Sequence, residues 1–93
     1  MRKDIFIGLF IWKLLDYGFE VGKGFNQKMC HLKNKKGNTI YLTEDEENGV
    51  GLNVYRQTAS AFNPVVITSL DEETIVKYLD LIINKLKLKK ITS

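Results

Sequence analysis

Apolar residues follow three different rhythms along this chain, and each rhythm predicts a different element. From Asp4 to Tyr17 they run almost unbroken, interrupted chiefly by Gly8, Lys13 and Asp16. That density is too high for a strand with one wet face, so the spacing predicts a helix over 4–17. In helical geometry Ile5, Leu9 and Trp12 share one face, Phe6, Phe10 and Tyr17 a neighbouring one, and Ile7, Ile11 and Leu14 another. A helix apolar nearly all round is either sandwiched within its own fold or shares its outer side with another chain, a second copy included. Gly18, Gly22 and Gly24 then end the helix and loosen the connection that follows.

The second rhythm has a period of two. From Gln27 to Lys33, Cys30 and Leu32 alternate with Met29 and His31; from Thr39 to Thr43, Ile40 and Leu42 alternate with Thr39, Tyr41 and Thr43. Lys35-Lys36-Gly37-Asn38 supplies turn chemistry between them, which makes a hairpin. The acidic run Glu44 to Glu47 leads into Asn48-Gly49, a turn dipeptide whose residues both tolerate positive φ. Val50, Leu52 and Val54 then alternate with Gly51, Asn53 and Tyr55. The expected sheet face toward the core is Cys30, Leu32, Ile40, Leu42, Leu52 and Val54. Residues 58–62 read as a loop, and Val65 to Ile67 reads as a short fourth strand at a sheet edge, because Pro64 precedes it.

The third rhythm is the 3.6-residue spacing of Ile75, Leu79, Ile82 and Leu86. Ser69-Leu70-Asp71-Glu72 fits a capping box, so this helix is expected to start near residue 70. Acids occupy its first turn and Lys85, Lys87, Lys89 and Lys90 its end, as the helix dipole favours. The expected fold is α+β: a single domain over 1–93 with a three- to four-stranded antiparallel meander flanked by an N-terminal and a C-terminal helix, in the order α-β-β-β-(β)-α.

Composition narrows the chemistry. At 44% apolar and 27% charged, the chain has the balance of a globular protein that folds without a partner. Cys30 is its one cysteine and His31 its one histidine, which excludes an internal disulfide and a Cys/His zinc cluster and makes a reducing cytoplasm the expected compartment. Met1 to Trp12 imitates the start of a signal peptide, but Lys13 and Asp16 interrupt the apolar run, and it falls short of the roughly 20 residues that span a bilayer. No membrane partner is expected.

Catalytic and metal-binding patterns do not assemble. Cys30 and His31 are strand neighbours pointing to opposite faces, so they do not meet as nucleophile and base. Glu44, Glu46, Asn48 and Gly49 imitate a calcium loop, but its twelfth position is Tyr55 rather than a bidentate Glu. The glycines at 18, 22 and 24 follow a helix instead of preceding one, the reverse of a phosphate-binding fingerprint. No metal or cofactor is expected, and the chain reads as non-enzymatic.

Binding surfaces are more promising. Lys28, Lys33, Lys35 and Lys36 form the densest basic patch outside the last helix, and the net charge is +3. Such lysines either track a phosphate backbone or keep a turn soluble and guard a sheet edge. The second face of the meander presents Met29, His31, Tyr41, Asn53 and Tyr55. Tyrosines on a sheet anchor protein interfaces and stack unpaired bases, unless a helix leans across and buries them.

The α-β-β-β-α order resembles that of double-stranded RNA-binding domains, although Asp71-Glu72-Glu73 stands where their second helix opens with a basic Lys/Ala motif. The stretch Leu15 to Phe19, then His31, then 34–42, resembles HicA-type ribonuclease toxins, whose first strand carries a catalytic His. Met29-Cys30 replaces the Gly-Ser of that family before the His, and the spacing is longer. The expected function is therefore that of a protein-binding module, a small regulator or inhibitor of the sort encoded by bacteria, phages or other mobile elements. Its expected contacts are Tyr41, Tyr55, His31 and Asn53 on the sheet and Lys35 and Lys36 at the turn. The alternative is a nucleic-acid binder using the same tyrosines and the hairpin lysines; a third reading is a ribonuclease-like toxin using His31.

Overall fold

A computed structural model of the chain describes residues 1–22, 29–45, 47 and 49–91. The elements run α1 (Lys3–Leu15), β1 (Glu20–Val21), β2 (Met29–Lys33), β3 (Asn38–Asp45), β4 (Gly49–Arg56), β5 (Ala59–Ser60), β6 (Val65–Ile67) and α2 (Glu72–Leu86). All strand pairings are antiparallel, in the spatial order β1-β2-β3-β4. The far edge of β4 is shared: β5 pairs with its last residues, Tyr55 and Arg56, and β6 with Val50, Gly51 and Leu52.

The meander and both helices stand where the periodicities place them, and two short strands join them. β1 lies just beyond Gly18, whose φ of +88° turns the chain back after α1. β5 falls inside the expected 58–62 loop, because Gln57 takes a φ of +58° and closes a two-residue turn that returns Ala59 to Arg56. Neither strand has enough residues to show alternation, so pairing alone creates them. β6 is an edge strand, as Pro64 implied.

The first hairpin turn is held by one side chain: Asn34 Oδ1 accepts from the Lys36 amide at 3.1 Å and the Asn38 amide at 2.9 Å, while Gly37 takes a φ of +84°. The second hairpin is tighter than the acidic run suggests. β3 extends to Asp45, which pairs with Gly49. Glu46 and Asn48 lie outside the described residues, as do Gly24, Gln27 and Lys28. Gly49 carries a φ of +141°, and a Cβ there would overlap the Ile67 carbonyl oxygen, so β6 can approach only a glycine.

One face of this sheet carries the whole core. Cys30, Leu32, Ile40, Leu42, Val50, Leu52 and Val54 are buried against Phe6, Ile7, Phe10 and Leu14 of α1 and Ile75, Leu79, Ile82 and Leu86 of α2. The α2 stripe is the one its period predicts. Its start differs, because Asp71, rather than Ser69, is the N-cap and accepts from the Thr74 amide at 2.8 Å. Capping from Asp71 delays the helix to Glu72 and leaves Ser69 exposed in the segment before it.

α1 is not sandwiched. Phe6 and Phe10 pack edge-on with centroids 6.0 Å apart and are fully buried, whereas Ile5 and Trp12 on the opposite side are 52% and 71% exposed. Lys3 Nζ donates to the Asp45 carbonyl and Arg56 Nη2 donates to the Lys85 carbonyl at 2.9 Å, tying one end of each helix to the meander. The Arg56 contact places a cation at the negative end of α2.

Phe10→Ala is expected to lower unfolding free energy by about 3–5 kcal/mol, against a change within about 0.5 kcal/mol for Trp12→Ala. Urea melts followed by circular dichroism check this; equal losses would place Trp12 in the core instead. Hydrogen bonds from Thr74, the backbone amide first, hold the Asp71 carboxyl below its ordinary value of 3.8. A depressed folded value contributes stability above the unfolded pKa and loses it as pH falls through the folded one. Asp71→Asn keeps the cap but removes the titration, so its melting temperature should fall less than wild type on acidification below pH 3.8. Superimposable acid profiles would contradict that assignment.

Candidate functional site

Alternation that buries one face of β2, β3 and β4 sends His31, Tyr41, Asn53 and Tyr55 to the other, and neither helix packs there. Register sets His31 opposite Tyr41 and Tyr41 opposite Asn53, with Tyr55 on the neighbouring diagonal. The rings hold one another. His31 and Tyr41 lie 5.9 Å apart with planes tilted by 34°, and Tyr41 meets Tyr55 edge to face at 5.7 Å and 88°. Aromatic pairs of this kind contribute about 0.5–1.5 kcal/mol beyond the area they bury. All four residues are half-buried, partly packed and partly open to contact.

Two glycines shape the cluster. The Gly22 amide donates to the His31 carbonyl at 2.8 Å, and a Cβ on Gly22 would run into the His31 ring, so the imidazole lies over bare backbone. On the other side Gly51 leaves the room that the Thr43 hydroxyl fills. Exposed Met29 and Val66 border the face, and its one described lysine, Lys33, pairs in register with Glu20. Cys30 points into the core, away from His31, and burial pushes its thiol pKa up, the opposite of an activated nucleophile. Among the described residues no group of three or more His, Cys, Asp or Glu side chains comes together that could hold a metal ion.

Lys33 stays on this face, and Lys35 lines a small recess with it, Glu20 and Gly22; the two turn lysines also face a second cleft. Lys35 and Lys36 are exposed at the β2–β3 turn and line a cleft of 580 Å³ with Leu15, Gly18, Phe19, Leu88, Lys89 and Ile91. The cleft is closed by the segment after α2. Lys87 adopts a φ of +54°, and the Ile91 amide donates to the Asp16 carbonyl at 2.7 Å. Lys89 thereby comes to the same cleft as Lys35 and Lys36. The two basic stretches looked unrelated in sequence; their only signal was that each is rich in Lys. Of the expected contacts, then, Tyr41, Tyr55, His31 and Asn53 form one group and Lys35 and Lys36 belong to another.

Comparison of the chain with protein-family models, curated proteins and solved structures returned no match. Among the described residues no helix is long and apolar enough to cross a membrane.

Gly22→Ala should drive the His31 ring off the Gly22 backbone and loosen its contact with Tyr41. Proton–carbon NMR spectra of the two rings would show shifts in both; unchanged ring resonances would mean that His31 does not rest on Gly22.

Proposed function

We propose that this chain is a protein-docking module whose contact surface is the open face of the sheet, centred on Tyr41 and Tyr55 and flanked by His31 and Asn53. The observation that carries the reading is the half-exposed, mutually braced ring cluster on a face that neither helix covers. Tyrosines already ordered by neighbouring rings lose little side-chain entropy on binding, which is what makes such residues effective anchors. Exposed Met29 and Val66 extend the cluster with apolar area suited to a protein partner. The small size suits a regulator or inhibitor that acts by occupying another protein.

Charge favours a protein over a nucleic acid. Nucleic-acid binding needs rings and cations along one track, with each phosphate contact adding about one unit to the salt slope. Here Lys33 stands opposite Glu20 in register, and Lys35 and Lys36 line a cleft with Leu15 and Lys89.

A complex captured from the native host should weaken at least about thirtyfold in the Tyr41→Ala/Tyr55→Ala double variant, the loss of about 2 kcal/mol expected of an interface anchor. Calorimetry on the purified pair measures it. Undiminished affinity would move the interface off this face, and affinity that falls steeply with salt and with neutralised Lys33, Lys35 and Lys36 would return the nucleic-acid reading.

A further inference from the structure

A different surface lies at the opposite layer of the molecule, where α1 ends beside Ile91. Trp12 and Leu15 are one helical turn apart on the outer side of α1, 71% and 41% exposed. Ile91, 60% exposed, sits against Gly18, where a Cβ would meet its Cδ1 at 3.0 Å. Leu15 and Ile91 line the same cleft as Lys35, Lys36 and Lys89, and Lys87 and Lys90 adjoin it in the chain. Glu20, also in the cleft, and Asp16, at the end of α1, are the acids nearby.

We propose that this pole docks on an anionic lipid surface, with Trp12, Leu15 and Ile91 entering the headgroup layer and Lys35, Lys36 and Lys89 meeting the lipid charges. Two observations select a lipid surface as the occupant. Exposed Leu15 and Ile91 share a cleft with three lysines, and Trp12 lies one turn before Leu15, the combination that holds an amphipathic element in the interface plane. Tryptophan, with an apolar body and a polar N–H, is the side chain best matched to the headgroup boundary. Charge argues against a second copy. Pairing two such poles opposes lysines to lysines. Docking here leaves the Tyr41 and Tyr55 face free, so the surface stands independently of the protein-docking reading.

Trp12 is the one tryptophan of the chain and reports its own environment. The full-length protein is titrated with vesicles of phosphatidylcholine alone or of equimolar phosphatidylcholine and phosphatidylserine, while tryptophan emission is followed. The expected result is a blue shift, and quenching by brominated lipid, with phosphatidylserine vesicles only. Partitioning should fall on the order of a hundredfold in Lys35→Gln/Lys36→Gln/Lys89→Gln, at roughly one elementary lysine contribution each, and fall further in high salt. The Tyr41→Ala/Tyr55→Ala variant should bind vesicles as wild type does. No shift with phosphatidylserine, an equal shift with phosphatidylcholine alone, or a blue shift that grows with protein concentration in the absence of lipid would overturn the proposal, the last by showing that a second copy covers Trp12.

Discussion

Between one face of the sheet and two helices runs a seam filled by Phe6, Phe10 and Leu14 from α1, Ile75, Ile82 and Leu86 from α2, and Leu32, Ile40, Leu42 and Leu52 from the strands. Each such side chain contributes about 1.5–3 kcal/mol when removed from water, and no other apolar cluster of buried residues exists among the described residues. The seam demands that both helices lie on the same side, because a helix moved to the other face would leave half of this apolar surface wet. Register follows from the same demand: slipping β3 by one residue would turn Ile40 and Leu42 out and Tyr41 in.

Everything available for function is what the seam leaves over. A two-layer fold has two outer surfaces, the back of the sheet and the outer sides of the helices. The first carries the braced rings of His31, Tyr41 and Tyr55; the second carries Trp12 and Leu15 and ends in the lysine-lined cleft. Hydrogen bonds far apart in sequence keep these surfaces in shape. Asp16 receives the Ile91 amide, which anchors the segment bearing Lys89, and Arg56 holds the last turn of α2 through the Lys85 carbonyl.

Local pattern accounts for most of the fold. Alternation in 29–33, 39–43 and 50–55 specifies which strand residues face the core, and the spacing of Ile75, Leu79, Ile82 and Leu86 specifies the buried side of α2. α1 resisted such reading because its apolar residues surround it, and a helix without a polar face gives no clue to which side is inward. β1 and β5 resisted for another reason: a two-residue strand has no period and exists only through its partner. The cap of α2 fell two residues later than the capping-box pattern, since Ser69 and Asp71 are both able acceptors and only the path of the chain from β6 decides between them.

The amino-acid sequence by itself determined the α+β class, the meander, the core face of each long strand and the grouping of Tyr41, Tyr55, His31 and Asn53, because each follows from a periodicity of two or 3.6 residues acting locally. Only tertiary structure decided that neither helix covers this aromatic face, that Ile5 and Trp12 of α1 face outward, and that Lys35 and Lys36 share a cleft with Lys89 and Ile91. Those outcomes depend on which surfaces the two helices choose to cover and on how the chain after α2 folds back to Asp16. They are long-range packing choices, and no repeat along the chain encodes them.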